Sequence, residues 1–186
     1  MLAIKSNALF DVAMIPNVGA ELTTSNRTTL GAQVYATFNM YGLDMKGVAV
    51  QPEFRYWPIS GAMSKLYVGV SGIASHYNMS FKVSNYLGDQ DIHYPGQSDR
   101  ERFKGDAIGG GLTFGWVWPL TKYHWNIEAG ASLGVIYYNH KHSYERDHQQ
   151  NEAYNQEGLM FMPYNLGVTF SYIIHYRNEK DSKRHL

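Results

Sequence analysis

The sequence predicts an all-β protein, a closed antiparallel eight-stranded transmembrane β-barrel, and three observations carry that expectation. Between 107 and 138, Ile108, Leu112, Phe114, Trp116 and Trp118 recur at every second position, interrupted only by Gly110. After Pro119-Leu120-Thr121-Lys122 the rhythm resumes with Trp125, Ile127, Ala129, Ala131, Leu133, Val135 and Tyr137. A period of two means extended strands with one apolar face, and both runs exceed the roughly 9–11 residues a tilted strand needs to cross a bilayer. The second observation is the run in which Val48, Val50, Pro52, Phe54 and Tyr56 alternate with Ala49, Gln51, Glu53, Arg55 and Trp57. A strand with Gln, Glu and Arg on one side and apolar groups on the other needs an enclosed polar space to point into. The third is the lack of any apolar run near 18 residues, which excludes a helical span. A barrel can cross a bilayer and still look hydrophilic on average, because every second residue faces its lumen.

Composition narrows the classes further. Lys+Arg and Asp+Glu are both 16, so the net charge is zero and no nucleic-acid partner is expected. The absence of cysteine excludes a disulfide scaffold and a thiolate metal site. The 15 Tyr and 18 Gly fit aromatic girdles and a narrow lumen. One domain is expected over 1–176, followed by a charged tail over 177–186 that is expected to be disordered. Met1-Leu2-Ala3-Ile4 lacks the basic and apolar regions of a secretion signal. Because an outer-membrane barrel requires one, the chain is read as a mature form with an added start Met.

Taken in order, the strands are expected near 3–13, 17–24, 28–41, 47–58, 65–81, 105–119, 125–140 and 159–176. The first alternates Ile4, Ala8, Phe10, Val12 and Met14 against Lys5, Asn7, Leu9 and Asp11 before the Pro16-Asn17 turn. Pro52 removes a ladder donor and predicts a bulge. The slip in phase between Leu66-Val68-Val70 and Tyr77-Met79-Phe81 predicts another near Gly72. In the last strand Tyr164, Leu166, Val168, Phe170, Tyr172 and Ile174 share the outward face. An even count puts both termini at one end, with short turns at 25–27, 59–64 and 120–124. The long polar segments 82–104 and 141–158 then become external loops at the other end.

The interior is expected to hold Lys5, Asp11, Glu21, Glu53, Arg55 and Glu128. An eight-stranded barrel is just wide enough for side chains to fill, so these charges should pair into a structural plug. A proton path or a catalytic carboxylate pair is the alternative. Trp116, Trp118, Trp125 and Tyr172 are read as an interfacial aromatic belt, while Trp57 faces inward by strict alternation. His140-Lys141-His142-Ser143-Tyr144-Glu145, with His148, is the enzyme-like cluster. His140 and His142 share one strand face and Ser143 takes the other, which separates the Ser from the base it would need. Two imidazoles without a third ligand fixed by spacing do not define a metal site. Asp89, Asp91 and Asp99 lack the ligand ladder of a calcium loop. Gly109-Gly110-Gly111 opens no helix and is not a phosphate loop. No catalytic, cofactor or metal residue is therefore assigned.

With those features in place, the chain resembles small eight-stranded outer-membrane barrels of the OmpA/OmpX type. Lys5-Ser6-Asn7-Ala8-Leu9-Phe10-Asp11, Ile15-Pro16-Asn17-Val18-Gly19-Ala20-Glu21 and Glu53-Phe54-Arg55-Tyr56-Trp57 are similar to an uncharacterised barrel family of Gram-negative gut and oral anaerobes, some encoded beside fimbrial genes. The resemblance implies the outer membrane of a Gram-negative bacterium as location. It implies a structural or surface-interaction role and brings no catalytic residues with it. The expected partners are the lipid bilayer with its lipopolysaccharide, and another outer-membrane or surface protein. Two rival functions stay open: a lipid A deacylase- or acyltransferase-like enzyme using His140, His142 and Ser143, and a soluble lipocalin-like carrier. The carrier would need the apolar faces inside.

Overall fold

The computed structural model describes residues 1–39, 44–82, 100–120, 124–146, 149–150 and 154–175. Eight antiparallel strands form a ring: β1 (Leu2–Asn7), β2 (Asn17–Ser25), β3 (Thr28–Thr37), β4 (Asp44–Tyr56), β5 (Lys65–Lys82), β6 (Arg100–Pro119), β7 (Trp125–Arg146) and β9 (Tyr154–Ile174). A two-residue strand, β8 (Gln149–Gln150), pairs with the end of β7. Each ring strand pairs with the next along the chain, and β9 closes the barrel on β1 through the register Leu2↔Ile174 to Asn7↔Thr169.

The period of two sorts the side chains as the sequence predicts. On β7, Asn126, Glu128, Ser132 and Gly134 are buried while Trp125, Val135 and Tyr137 are exposed. On β4, Gln51 and Arg55 are buried, whereas Val48, Val50 and Phe54 stand 49%, 40% and 43% exposed. Burial here is polar and exposure is apolar. That is the reverse of the order water imposes on an ordinary sheet, where the apolar face is covered, and it removes the geometry a lipocalin-like carrier requires.

Four features differ from the sequence reading. The first strand ends at Asn7, and α1 (Ala8–Val12) follows. Asn7 is the cause: its side-chain oxygen accepts from the Leu9 amide at 3.1 Å, the bond by which Asn nucleates a helix start. The predicted bulges at Pro52 and Gly72 are absent. The β4–β5 ladder skips Gln51 and Pro52 but resumes in the same register, from Val50↔Ala74 to Glu53↔Ser71, and β5 pairs with β6 without a shift from Lys65 to Lys82. Tyr77 lies on the inner face by plain alternation, above the charged part of the lumen. The register shifts fall instead between Thr23 and Ser25, and between Ser132 and Leu133 opposite Tyr164. Finally, β6, β7 and β9 extend past the predicted ends to Arg100, Arg146 and Tyr154. Residues 141–146 and 154–158 are therefore hairpin wall, and 100–104 belong to β6. Asp89, Asp91, Asp99, His148 and the tail 177–186 lie outside the described residues.

The wall has uneven height. β1 has 6 residues and β2 has 9, against 20, 22 and 21 in β6, β7 and β9. Above Asn7↔Thr169, β9 stays paired with β7, and its other side faces no strand among the described residues. At the foot of this opening Phe10 of α1 rests on Tyr35, with ring centroids 4.9 Å apart.

Candidate functional site

The lumen is filled in three tiers, starting at the end that carries both termini. There the turn after β4 folds inward, with the Ala62 amide donating to the Asn26 carbonyl at 2.9 Å. It brings Trp57, Ala62 and Met63 against Ala3, Tyr67, Val117 and Ile173 in a buried apolar floor. Met63 holds a positive φ of 66° to make this fold. The Trp57 indole N–H donates to Thr29 Oγ1 at 3.1 Å and the Asn126 amide donates to the Met63 carbonyl at 3.0 Å. These bonds satisfy the polar groups that the floor covers.

The middle tier is ionic. Glu128 stands at its centre with four donors on two oxygens. Lys5 Nζ and Arg55 Nη1 reach Oε2, both at 2.9 Å, while Arg55 Nη2 and the Tyr67 hydroxyl reach Oε1 at 2.8 and 2.7 Å. Arg55 thus grips Glu128 with both prongs of its fork, the planar match that makes Arg–carboxylate pairs strong. Its remaining contacts are Glu53 at 2.7 Å and Glu21 at 3.3 Å, and its guanidinium lies 4.0 Å from the centre of the Tyr67 ring. Lys5 also pairs with Glu21. Lys5, Glu21, Arg55 and Glu128 come from four strands and are each less than 9% exposed. Removal of such charges from water costs several kcal/mol per ion, so the tier is stable only as a complete set.

The upper tier is neutral. Asn165 donates to Gln51 Oε1 at 2.9 Å and to the Tyr35 hydroxyl at 3.1 Å, and Asn7 donates to Asn165 at 3.3 Å. Tyr164, placed on the outer face by sequence, turns inward because the β9 bulge shifts its phase. Its hydroxyl donates to the Ser71 carbonyl at 3.1 Å. The space left among these groups is about 10 Å³, close to the minimum for one water molecule.

Five of the six predicted lumen residues meet: Lys5, Glu21, Glu53, Arg55 and Glu128. Asp11 does not. It sits exposed on α1, where its carboxylate accepts from Ser6 Oγ at 2.6 Å and from Asn17 at 2.9 Å. Tyr67 was missed by sequence reasoning, although a signal exists. Tyr67, Gly115, Gly130 and Gly167 are paired in one row across four strands. The three glycines clear the space that the Tyr67 ring and the Asn7 side chain occupy. A Cβ on Gly115 would lie 2.7 Å from Tyr67 Cζ, and one on Gly167 would meet the Asn7 carboxamide.

Trp116, Trp118, Trp125 and Tyr172 all point outward at the terminal end of the barrel. Trp125 packs edge-on to Tyr172 at 5.1 Å. At the opposite end His140 and His142 face inward. His142 stacks on Phe103 at 4.3 Å, and its Nδ1 lies 2.6 Å from the Tyr154 hydroxyl. His140 Nδ1 lies 3.4 Å from the Tyr77 hydroxyl. Ser143 takes the other face, and no hydrogen bond joins it to either imidazole among the described residues.

Fold and site together define a closed eight-stranded barrel, apolar outside and plugged by an ionic network inside. The chain belongs to the family described as Protein of unknown function (DUF3575), which matches residues 1–174. No curated protein and no solved structure matches it significantly.

Proposed function

We propose that this protein is an integral β-barrel of the outer membrane of a Gram-negative bacterium, and that it acts without catalysis as a structural or surface-interaction protein. The observation that carries this reading is the inverted burial: Leu112, Leu166 and Phe170 are 65%, 64% and 44% exposed while Lys5, Arg55 and Glu128 are buried. An apolar outer wall of this extent is costly in water and favourable against acyl chains. The Trp116/Trp118/Trp125/Tyr172 cluster then marks the periplasmic interface. The tall strands β5, β6, β7 and β9 rise beyond the external one. A raised sheet with β9 at its edge offers backbone groups that pair with no strand among the described residues to an extended segment of a partner. The fimbrial neighbourhood implied by the sequence resemblance makes a pilus or surface-fibre component the partner class.

The lipid-modifying alternative has a weaker basis, since Ser143 and the two imidazoles occupy opposite faces of β7. The test of location is direct. The folded protein should require detergent or lipid to stay dispersed, and its mobility on an SDS gel should change on boiling. A monodisperse protein in plain buffer would overturn the membrane reading.

A further inference from the structure

The outward face of the tall wall changes character within three rows of paired residues. The lowest is apolar: Val50, Ala74, Ile108, Tyr137 and Leu159. Above it lie Val48, His76, Asp106, Asn139 and Glu157. Here His76 Nδ1 sits 2.7 Å from Asp106, and Glu157 accepts from the Tyr137 hydroxyl at 2.7 Å. The third row is Lys46, Asn78, Lys104, Lys141 and Asn155. Its three lysines are exposed, and none has an ion-pair partner among the described residues. Lys104 and Lys141 are direct cross-strand neighbours, an arrangement that like charges disfavour. Arg102 adds a further cation in the next row up. The carboxylates of Asp106 and Glu157, in the row below, bond to His76 and to the Tyr137 hydroxyl, and Asp44 lies in the row above Lys46, at the far side of the wall from Lys104 and Lys141.

Directly under the lysines the wall is concave. Val48, Val50, Ala74, Ile108 and Tyr137 line a groove of about 440 Å³, with His76 and Asp106 at its upper lip. Ala74 supplies the depth, since a larger residue at this central position would fill it.

We infer that this groove and the lysine row form one binding site for an anionic membrane lipid with a phosphate monoester headgroup. An acyl chain lies along Val50, Ala74 and Ile108, and the phosphate is held by Lys46, Lys104 and Lys141. The inference rests on the membrane reading given above and adds to it a particular lipid class and position. Neighbouring strands are about 4.8 Å apart, so three flexible lysine side chains on β4, β6 and β7 can converge on one phosphate group. The arrangement also gives a reason for Lys104 standing directly opposite Lys141. The lipid phosphate bridges the two.

The test uses the full chain in neutral detergent, titrated with a short-chain phosphatidic acid, with phosphatidylcholine of equal chain length and with inorganic phosphate. Bound species are counted by native mass spectrometry. Each lysine near an anionic lipid contributes about fivefold, so a preference for phosphatidic acid over phosphatidylcholine on the order of a hundredfold is expected. The triple variant Lys46→Gln, Lys104→Gln, Lys141→Gln should erase that preference and keep its heat-modifiable gel mobility. Ala74→Trp should weaken both lipids. Equal retention of the two lipids by the wild-type chain would overturn the site. So would inorganic phosphate that competes as well as the lipid, since it would reduce the row to a bare anion patch. Failure of the detergent-dependence test removes the membrane reading itself; detergent dependence without lipid preference removes this site alone.

Discussion

Glu128 and Glu53 look alike in the sequence, each an acidic residue on the polar face of a strand, and the structure separates them sharply. Glu128 receives four donors at the centre of the barrel. Among the described residues Glu53 accepts from Arg55 alone, with its carboxylate side chain 13% exposed. Removal of one partner from a complete buried ion set leaves the others uncompensated, at a cost of about 3–5 kcal/mol. Glu128→Gln, which takes from Lys5 and Arg55 the carboxylate they share and leaves them to compete for Glu21 and Glu53, should lower barrel stability by that amount in urea titrations in lipid. Glu53→Gln should cost about 1.5 kcal/mol, the low end of the range for a hydrogen bond to a charged group, because its site is partly wet. Equal effects from the two variants would show that the charges act as a diffuse field and not as named contacts. The lysines on the outer wall are the opposite case at this scale, because their exposure allows substitution without loss of fold.

At the level of elements, the inner faces of β5, β6 and β7 are fitted to one another through a single aromatic ring. Tyr67 spans Gly115 and Gly130 while its hydroxyl donates to Glu128. In Gly130→Ala the new methyl would occupy the space of the Tyr67 hydroxyl. The ring must shift and the bond to Glu128 is lost, for a cost of about 1–3 kcal/mol. In a Tyr67→Phe background that hydroxyl is absent, and Gly130→Ala should then add only a few tenths of a kcal/mol. Additive costs in the double variant, measured by the same urea titrations, would place the strain elsewhere. The bulge at Tyr164 is a related device. One extra residue turns a side chain from the outer wall to the lumen, where it closes the upper tier against Ser71.

At the scale of the whole molecule, the apolar floor, the ionic tier and the amide tier lie in series along the lumen. Each blocks it independently of the others. The barrel reconstituted in a planar lipid bilayer should therefore show no steady ion conductance. Conductance above the leak of the protein-free bilayer, in steps proportional to salt, would mean that these tiers open together in lipid. A plugged lumen agrees with the proposed roles, which use the outside of the barrel: the raised sheet, its β9 edge and the lysine-topped groove.

The sequence by itself determined the all-β barrel fold class, the inside-out alternation, the outward Trp116, Trp118, Trp125 and Tyr172, the inward Trp57 and five of the six lumen charges. All of these follow from a period of two, which is local and survives translation into a strand wherever the strand is placed. What it could not fix were the choices made between distant segments. Asn7 ends β1 because its side chain finds the Leu9 amide, and that bond moves Asp11 from the lumen to the surface. The phase of Tyr164 depends on a bulge against Ser132, while the slip near Gly72 is plain alternation once β6 holds the register. Tyr67 and its three glycines are unremarkable apart and become one packing unit only when four strands bring them into a row. The lysine row has the same origin, since 46, 104 and 141 are far apart in the chain and become neighbours only through strand pairing. Registers are set by the sum of cross-strand contacts, and no single stretch contains that sum.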